Sequence, residues 1–155
     1  MIIIGYQGIG KSTLAGRDIS YIDLESGNFW VDGTRADDWY KPYCNIAEHL
    51  SQQGYAVFTS CHAVVRERLK DSSETVVVIY PSIDIKDQWM ERLWTRYQRT
   101  GLDKDYKAYM NAKNLYDESI RDLDSCGVPN KIVLRGIDYD LDSIIEEFER
   151  GLRAE

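Results

Sequence analysis

Eight residues near the N-terminus have the types and spacing to hold a phosphate group. They read Gly5-Tyr6-Gln7-Gly8-Ile9-Gly10-Lys11-Ser12, with Thr13 next. Glycines at such positions let the backbone bend, so that the N–H groups of residues such as Gln7, Gly8, Ile9 and Gly10 can point at phosphate oxygens. A helix opening at Lys11 adds partial positive charge at the same place. Lys11 is expected to reach the β- and γ-phosphates, and Ser12 to offer its hydroxyl to Mg²⁺. The whole stretch, Gly5 to Thr13, predicts a cradle for the polyphosphate of ATP or GTP.

Two further groups of side chains can act on a phosphoryl group. The segment Tyr21-Ile22-Asp23-Leu24-Glu25-Ser26 places two carboxylates two residues apart, which on a strand puts them on one side. One can hold water on Mg²⁺ or take a proton from an acceptor hydroxyl, and the other can position the acceptor. A solvated strand end with a capping Ser is the competing reading. Further on, Arg92, Arg96 and Arg99 are spaced i, i+4, i+7 and share a helical face. Arginines there can neutralise the charge of a moving phosphoryl group and exclude water; a solvated helix face is the alternative.

These groups need elements to position them. Ile2 to Ile4 is an apolar strand leading into the glycines, followed by a short helix from Lys11 to about Arg17. Strands are expected at Ile19–Leu24, Tyr55–Thr59, Thr75–Tyr80 and Lys131–Leu134. The β-branched run Thr-Val-Val-Val-Ile-Tyr indicates burial on both faces, as in a parallel sheet. Helices are expected from about Tyr40 to Gly54, at His62–Lys70, Lys86–Arg99, Asp103–Asp124 and Leu141–Leu152. Tyr43, Ile46, Ala47 and Leu50 form the expected inner face of the first long one. Strands alternating with helices predict an α/β three-layer sandwich around a five-stranded parallel sheet, with ligands bound beyond the strands' carboxyl ends.

On the Gly5–Ser12 motif, the acidic pair and the arginine helix, the chain resembles the P-loop kinases of small molecules: nucleoside monophosphate kinases, shikimate kinase, gluconate kinase and guanylate kinase. The resemblance covers most of the chain in element order and implies one P-loop kinase-like domain over residues 1–155. It implies an acceptor-binding region at 25–41 and a lid at roughly 86–110. Asp23 and Glu25 look like the acidic pair ending the second strand of shikimate-type kinases, Asp23 serving the metal or the acceptor and Glu25 the acceptor. Arg92-Leu93 looks like the lid entry of guanylate kinase. That would set Arg92 near adenine and Arg96 and Arg99 near the phosphates. Gly136, after the last strand, sits where relatives pack the adenine. Arg35 or Lys41 would grip an acceptor phosphate while Trp30 or Trp39 stacks on a base; covering the sheet edge is the other reading of those side chains. The implied cofactors are ATP and Mg²⁺. The helix before Asp23 is shorter than in that family. The third strand ends in Thr59-Ser60-Cys61-His62, without the Asp that motor-type ATPases need. The compact plan also resembles nucleotide-kinase-like proteins of bacteriophages.

Composition limits the function classes. The 155 residues carry 43% apolar side chains and a net charge of -7, enough core for one domain and disfavouring a nucleic-acid-coating protein. Three isolated cysteines, Cys44, Cys61 and Cys126, suit a reducing cytoplasmic setting. No stretch has the length of a membrane span. The expected function is an ATP-dependent phosphotransferase acting on a nucleoside or deoxynucleoside monophosphate. A kinase of a modified base in DNA and a non-catalytic nucleotide-binding regulatory module are the alternatives.

Overall fold

Burial on both faces explains why Ile2, Ile3 and Ile4 sit at the middle of the sheet: each side chain is fully enclosed, which only a strand covered by helices on both sides allows. The computed structural model describes residues 1–155. In chain order its elements are β1 (Ile2–Gly5), α1 (Lys11–Arg17), β2 (Tyr21–Asp23), α2 (Tyr40–Gln52), β3 (Ala56–Thr59) and α3 (Ala63–Leu69). Then follow β4 (Val76–Pro81), α4 (Lys86–Thr100), α5 (Asp103–Ser125), β5 (Asn130–Leu134) and α6 (Leu141–Ala154). The protein is α/β, with the five strands in one sheet of order β2-β3-β1-β4-β5. All pairings are parallel, with Ile3 opposite Phe58 on one side and Val77 on the other.

The chain leaves β1 toward one edge of the sheet, whereas β3 and β4 lead toward the other. Right-handed crossovers then place α1 on one face and α2, α3 and the α4–α5 pair on the opposite face. The last helix comes back near α1 and β2. Arg17 meets Asp140 at 3.5 Å, and Tyr21 Oη donates to Asp142 at 2.7 Å. This arrangement is compatible with a three-layer sandwich. The change of direction at β1 opens a crevice at its carboxyl end, where Gly5–Ser12 lies.

Three local expectations need correction. The second strand begins at Tyr21, not Ile19, because Asp18 accepts from both the amide and hydroxyl of Ser20. That side-chain turn leaves Ile19 93% exposed. The strand also stops at Asp23, so Glu25 lies beyond it rather than on it. On α2 the enclosed residues are Tyr43, Cys44, Ala47 and Ser51, while Ile46 is 41% exposed. Polar anchors decide that rotation: Tyr43 Oη donates to the Leu24 carbonyl at 2.6 Å and accepts from Ser60 N, and Ser51 Oγ bridges the N-terminal ammonium and Glu74. Ile46→Lys is therefore expected to change stability by no more than about 0.5 kcal/mol. Ala47→Leu, which overfills a closed site, is expected to cost about 1–3 kcal/mol. Urea denaturation of the two variants checks this order. No helix is long and apolar enough to cross a membrane.

Candidate functional site

Beyond Gly5 the backbone makes a tight turn, with Ile9 N donating to the Tyr6 carbonyl. Gly8 (φ 90°) and Gly10 (φ 113°) both take left-handed conformations that other residues avoid. Three successive carbonyls are pulled outward by side chains from distant elements. Gln7 O accepts from Trp89 Nε1 at 3.0 Å, Gly8 O from Arg92 Nε at 2.7 Å, and Ile9 O from Tyr139 Oη at 2.7 Å. Lys11 folds back to donate to the Gly5 carbonyl at 2.7 Å. The backbone N–H groups of Gln7, Gly8, Gly10, Lys11, Ser12 and Thr13 have no acceptor within the protein. Those of Lys11, Ser12 and Thr13 are donors that any helix start leaves free; with the amides of Gln7, Gly8 and Gly10 beside them they make a nest of the kind that receives anions.

The loop lies between two cavities that share Gly8, Leu93 and Arg96 as a common wall. One, of about 260 Å³, is lined by Gly8, Gly10, Thr13, Arg92, Arg96 and Arg99, and its charged side chains are all arginines. The other, of about 270 Å³, holds Lys11, Ser12, Asp23, Glu25, Ser60, Lys104 and Asp105, so cations and carboxylates alternate around it. Burial pulls the Lys11 ammonium below its ordinary pKa; Cys61, Asp23 and Glu25 oppose that pull. Burial also raises the Asp23 carboxyl, and Glu25 adds to the shift while Lys11 works against it. Glu25 meets Lys104 at 3.6 Å across the cavity mouth. Arg96 donates Nη2 to Ser12 Oγ at 2.9 Å and forms an ion pair with Asp105, Nε to oxygen 3.1 Å.

The structure thus brings together Gly5, Gln7, Gly8, Gly10, Lys11, Ser12, Thr13, Asp23, Glu25, Arg92, Arg96 and Arg99. Ile9 contributes its backbone, since its side chain is core. Gly136 stands apart, in a groove between β5 and α6 whose wall includes Tyr139; Tyr139 links it to the loop by stacking near Arg92, 5.3 Å from its ring centre. Arg35 lies between two indoles, 4.8 Å from Trp30 and 3.9 Å from Trp39. Trp39 packs edge-on to His62, which hydrogen-bonds Ser60 Oγ at 2.8 Å, so a chain of contacts leads from Arg35 to the Lys11–Asp23 cavity, which Arg35 itself does not line. Lys41 is a correction: it is exposed on a separate groove of about 890 Å³ with Tyr40, Asn45, Arg66 and Arg68. Lys41 lies in the first turn of α2, whose Tyr43 faces Leu24 and Ser60, and its own side chain lines the groove beside α3 instead.

Ser60, Lys104 and Asp105 complete the site: Ser60, at the end of the third strand, is a residue type that can hold a metal-bound water and Lys104 one that can extend the lid, whereas nothing in the sequence points to Asp105. Their sequence signals are weak, since a Ser after a strand and an Asp in a helix's first turn are common caps. Trp89 and Tyr139 read as ordinary apolar bulk; that their N–H and O–H hold the loop's carbonyls depends on contacts across 82 and 130 residues of chain.

No three His, Cys, Asp or Glu side chains converge to hold a metal. Ser12 and Asp23 nevertheless line one cavity beside the unpaired amides. That donor set fits Mg²⁺ carried largely by phosphate oxygens and water rather than by a protein cage.

No model of a known protein family matches this sequence, and no curated protein matches it. Among solved structures, the chain is similar to an uncharacterized protein from Eubacterium ventriosum at 16% identity and a TM-score of 0.48, over 96% of this chain and 97% of that one. It is also similar to the SH3-kinase fragment of tight junction protein 3 in apo-form at 16% identity and a TM-score of 0.47, over 99% of this chain and 56% of that one. Likenesses this distant assign neither family nor activity.

Proposed function

We propose that the protein is a P-loop phosphotransferase that moves the γ-phosphoryl of ATP or GTP to a small molecule, a nucleoside or deoxynucleoside monophosphate. The observation that carries this reading is the loop at Gly5–Ser12, with its carbonyls drawn outward and its amides left without partners. The polyphosphate runs from the arginine-lined cavity, past Gly8 and Gly10, to the cavity of Lys11 and Asp23. Arg96 and Arg99 would hold its phosphates, with Arg92 and Tyr139 toward the base and Gly136 beyond them. Ser12 and, through water, Asp23 would hold Mg²⁺, which would supply neutralisation of phosphate charge. Lys11 supplies a fixed cation for the phosphoryl oxygens. Asp23, with its raised pKa, suits accepting the acceptor's proton near neutral pH. Arg35, spread over two indoles, offers a planar fork for an acceptor phosphate.

Incubation with ATP, Mg²⁺ and a panel of monophosphates tests this reading. ADP formed only in the presence of one acceptor is the expected result. ATP binding with no acceptor-dependent ADP would point instead to a regulatory module, and transfer to DNA oligonucleotides to a kinase of modified bases. Asp23→Asn is expected to lower the transfer rate by about 10²–10⁴-fold with little change in ATP affinity. The wild-type rate is expected to rise with pH through a limb centred above the ordinary carboxylate range, and Asp23→Asn to lose that limb. Stability carries the opposite sign. A raised carboxyl pKa means the folded state binds the proton more tightly, so ionisation of Asp23 destabilises the fold as pH rises. The Asn variant is expected to melt no lower than wild type at pH 7.

A further inference from the structure

Arg96 forms the wall common to both cavities, and one buried side chain holds it there. Asp105, in the first turn of α5, is 4% exposed. One of its oxygens lies 3.1 Å from Arg96 Nε in an ion pair, and the other accepts from Thr100 Oγ1 at the corner between α4 and α5. Beside that ion pair, the guanidinium donates Nη2 to Ser12 Oγ at 2.9 Å. We infer that Asp105 is a positioning residue that aims the Arg96 guanidinium across the loop at the phosphoryl group being transferred. The inference rests on the loop being a triphosphate site.

Two physical arguments support it. First, a buried carboxylate is costly to the fold unless paired, and an apolar corner would hold two helices as well. Trp89 and Leu93 already bury α4, so the fold has little need of this ion pair. Second, the charge of Asp105 is of the wrong sign for its position. A carboxylate lining a phosphate site repels the triphosphate unless a cation answers it, and the cation against Asp105 is Arg96. A long arginine side chain loses about 1.5–2 kcal/mol of rotamer freedom when ordered. Asp105 and Thr100 order it before the nucleotide arrives. The geometry gives Arg96 a fixed direction in the empty fold, aimed at the same hydroxyl that faces the metal.

The sign of one measurement separates this role from a merely electrostatic one. A non-hydrolysable ATP analogue with Mg²⁺ is titrated by calorimetry into wild type, Arg96→Ala, Asp105→Asn and the double variant, with the melting temperature of each recorded. Asp105→Asn keeps shape but removes the charge. If Asp105 acted by charge alone, the analogue would bind more tightly; positioning predicts weaker binding, by about tenfold. In the Arg96→Ala background the second substitution is expected to add less than about twofold, because there is no guanidinium left to aim. A purely structural role at the helix corner would instead multiply the two losses. Tighter or unchanged binding in Asp105→Asn, or multiplied losses in the double variant, overturns the inference and leaves the loop assignment intact. Absence of binding to wild type overturns both. Should Asp105→Asn fail to fold, Asp105→Glu, which keeps the charge but displaces it by one methylene, is expected to loosen binding as well; unchanged affinity there overturns the inference.

Discussion

Lys11→Met is expected to lower phosphoryl transfer by about 10²–10³-fold while leaving the protein nearly as stable as before. The two halves of that expectation come from the same side chain. In transfer, Lys11 is the cation nearest the carboxyl end of β1, and its ammonium shares a cavity with Ser12 and Asp23. Loss of such a group removes charge stabilisation at the point where phosphoryl transfer concentrates it. In the fold, burial has already pulled the Lys11 pKa down, so the charged form is disfavoured there, and the group gains stability only as pH rises past its lowered pKa. Methionine removes that cost. Against it stands the lost bond to the Gly5 carbonyl, an unpaired acceptor worth about 1–3 kcal/mol if fully buried. The two effects oppose each other, so the melting temperature is expected to move by only a few degrees. Initial rates of ADP formation and a thermal melt on the same sample check both halves. A variant that unfolds, or one that transfers at the wild-type rate, contradicts the role given to Lys11.

Gly8→Ala is expected to cost about 2–4 kcal/mol of stability, with loss of triphosphate binding. Gly8 sits at φ 90°, where a Cβ meets backbone strain. A methyl built there lies 2.7 Å from Leu93 Cδ2 and 3.3 Å from Trp89 Nε1. Both neighbours are enclosed and cannot move aside without opening the core. Displacing Trp89 also releases the Gln7 carbonyl it holds, so the amides lose their direction. Gly10→Ala makes a useful contrast. Its φ is 113°, yet the added methyl finds only Leu141 at 3.7 Å, so strain alone is expected, about 1–2 kcal/mol. Equilibrium urea unfolding of the two variants, with the analogue titration beside it, separates crowding from strain. Equal losses would mean that α4 does not press on the loop as described.

Local patterns made much of the architecture legible. The boundaries of α1 and the element order follow from apolar runs, glycines and prolines within a few residues of each other. The six-residue run at 75–80 announced a strand buried on both faces, and β4 is that strand. What local pattern missed was set by distant partners. The inner face of α2 turned because Tyr43 reaches Leu24 and Ser60. Lys41 fell on another groove because Tyr43, two residues on in the same helical turn, takes the side that faces Leu24 and Ser60.

The same division holds at the site. Residue type and spacing alone specified a glycine-rich turn between a buried strand and a helix, with a Lys and a hydroxyl at its end, because backbone freedom and helix polarity are local properties. Only the tertiary structure decided that the turn's amides are unpaired, since the groups that draw its carbonyls away, Trp89, Arg92 and Tyr139, belong to the α4 helix and the segment before α6. It likewise decided that Arg96 answers to Asp105. Hydrogen bonds of that kind depend on where two elements pack, and packing is a property of the whole chain.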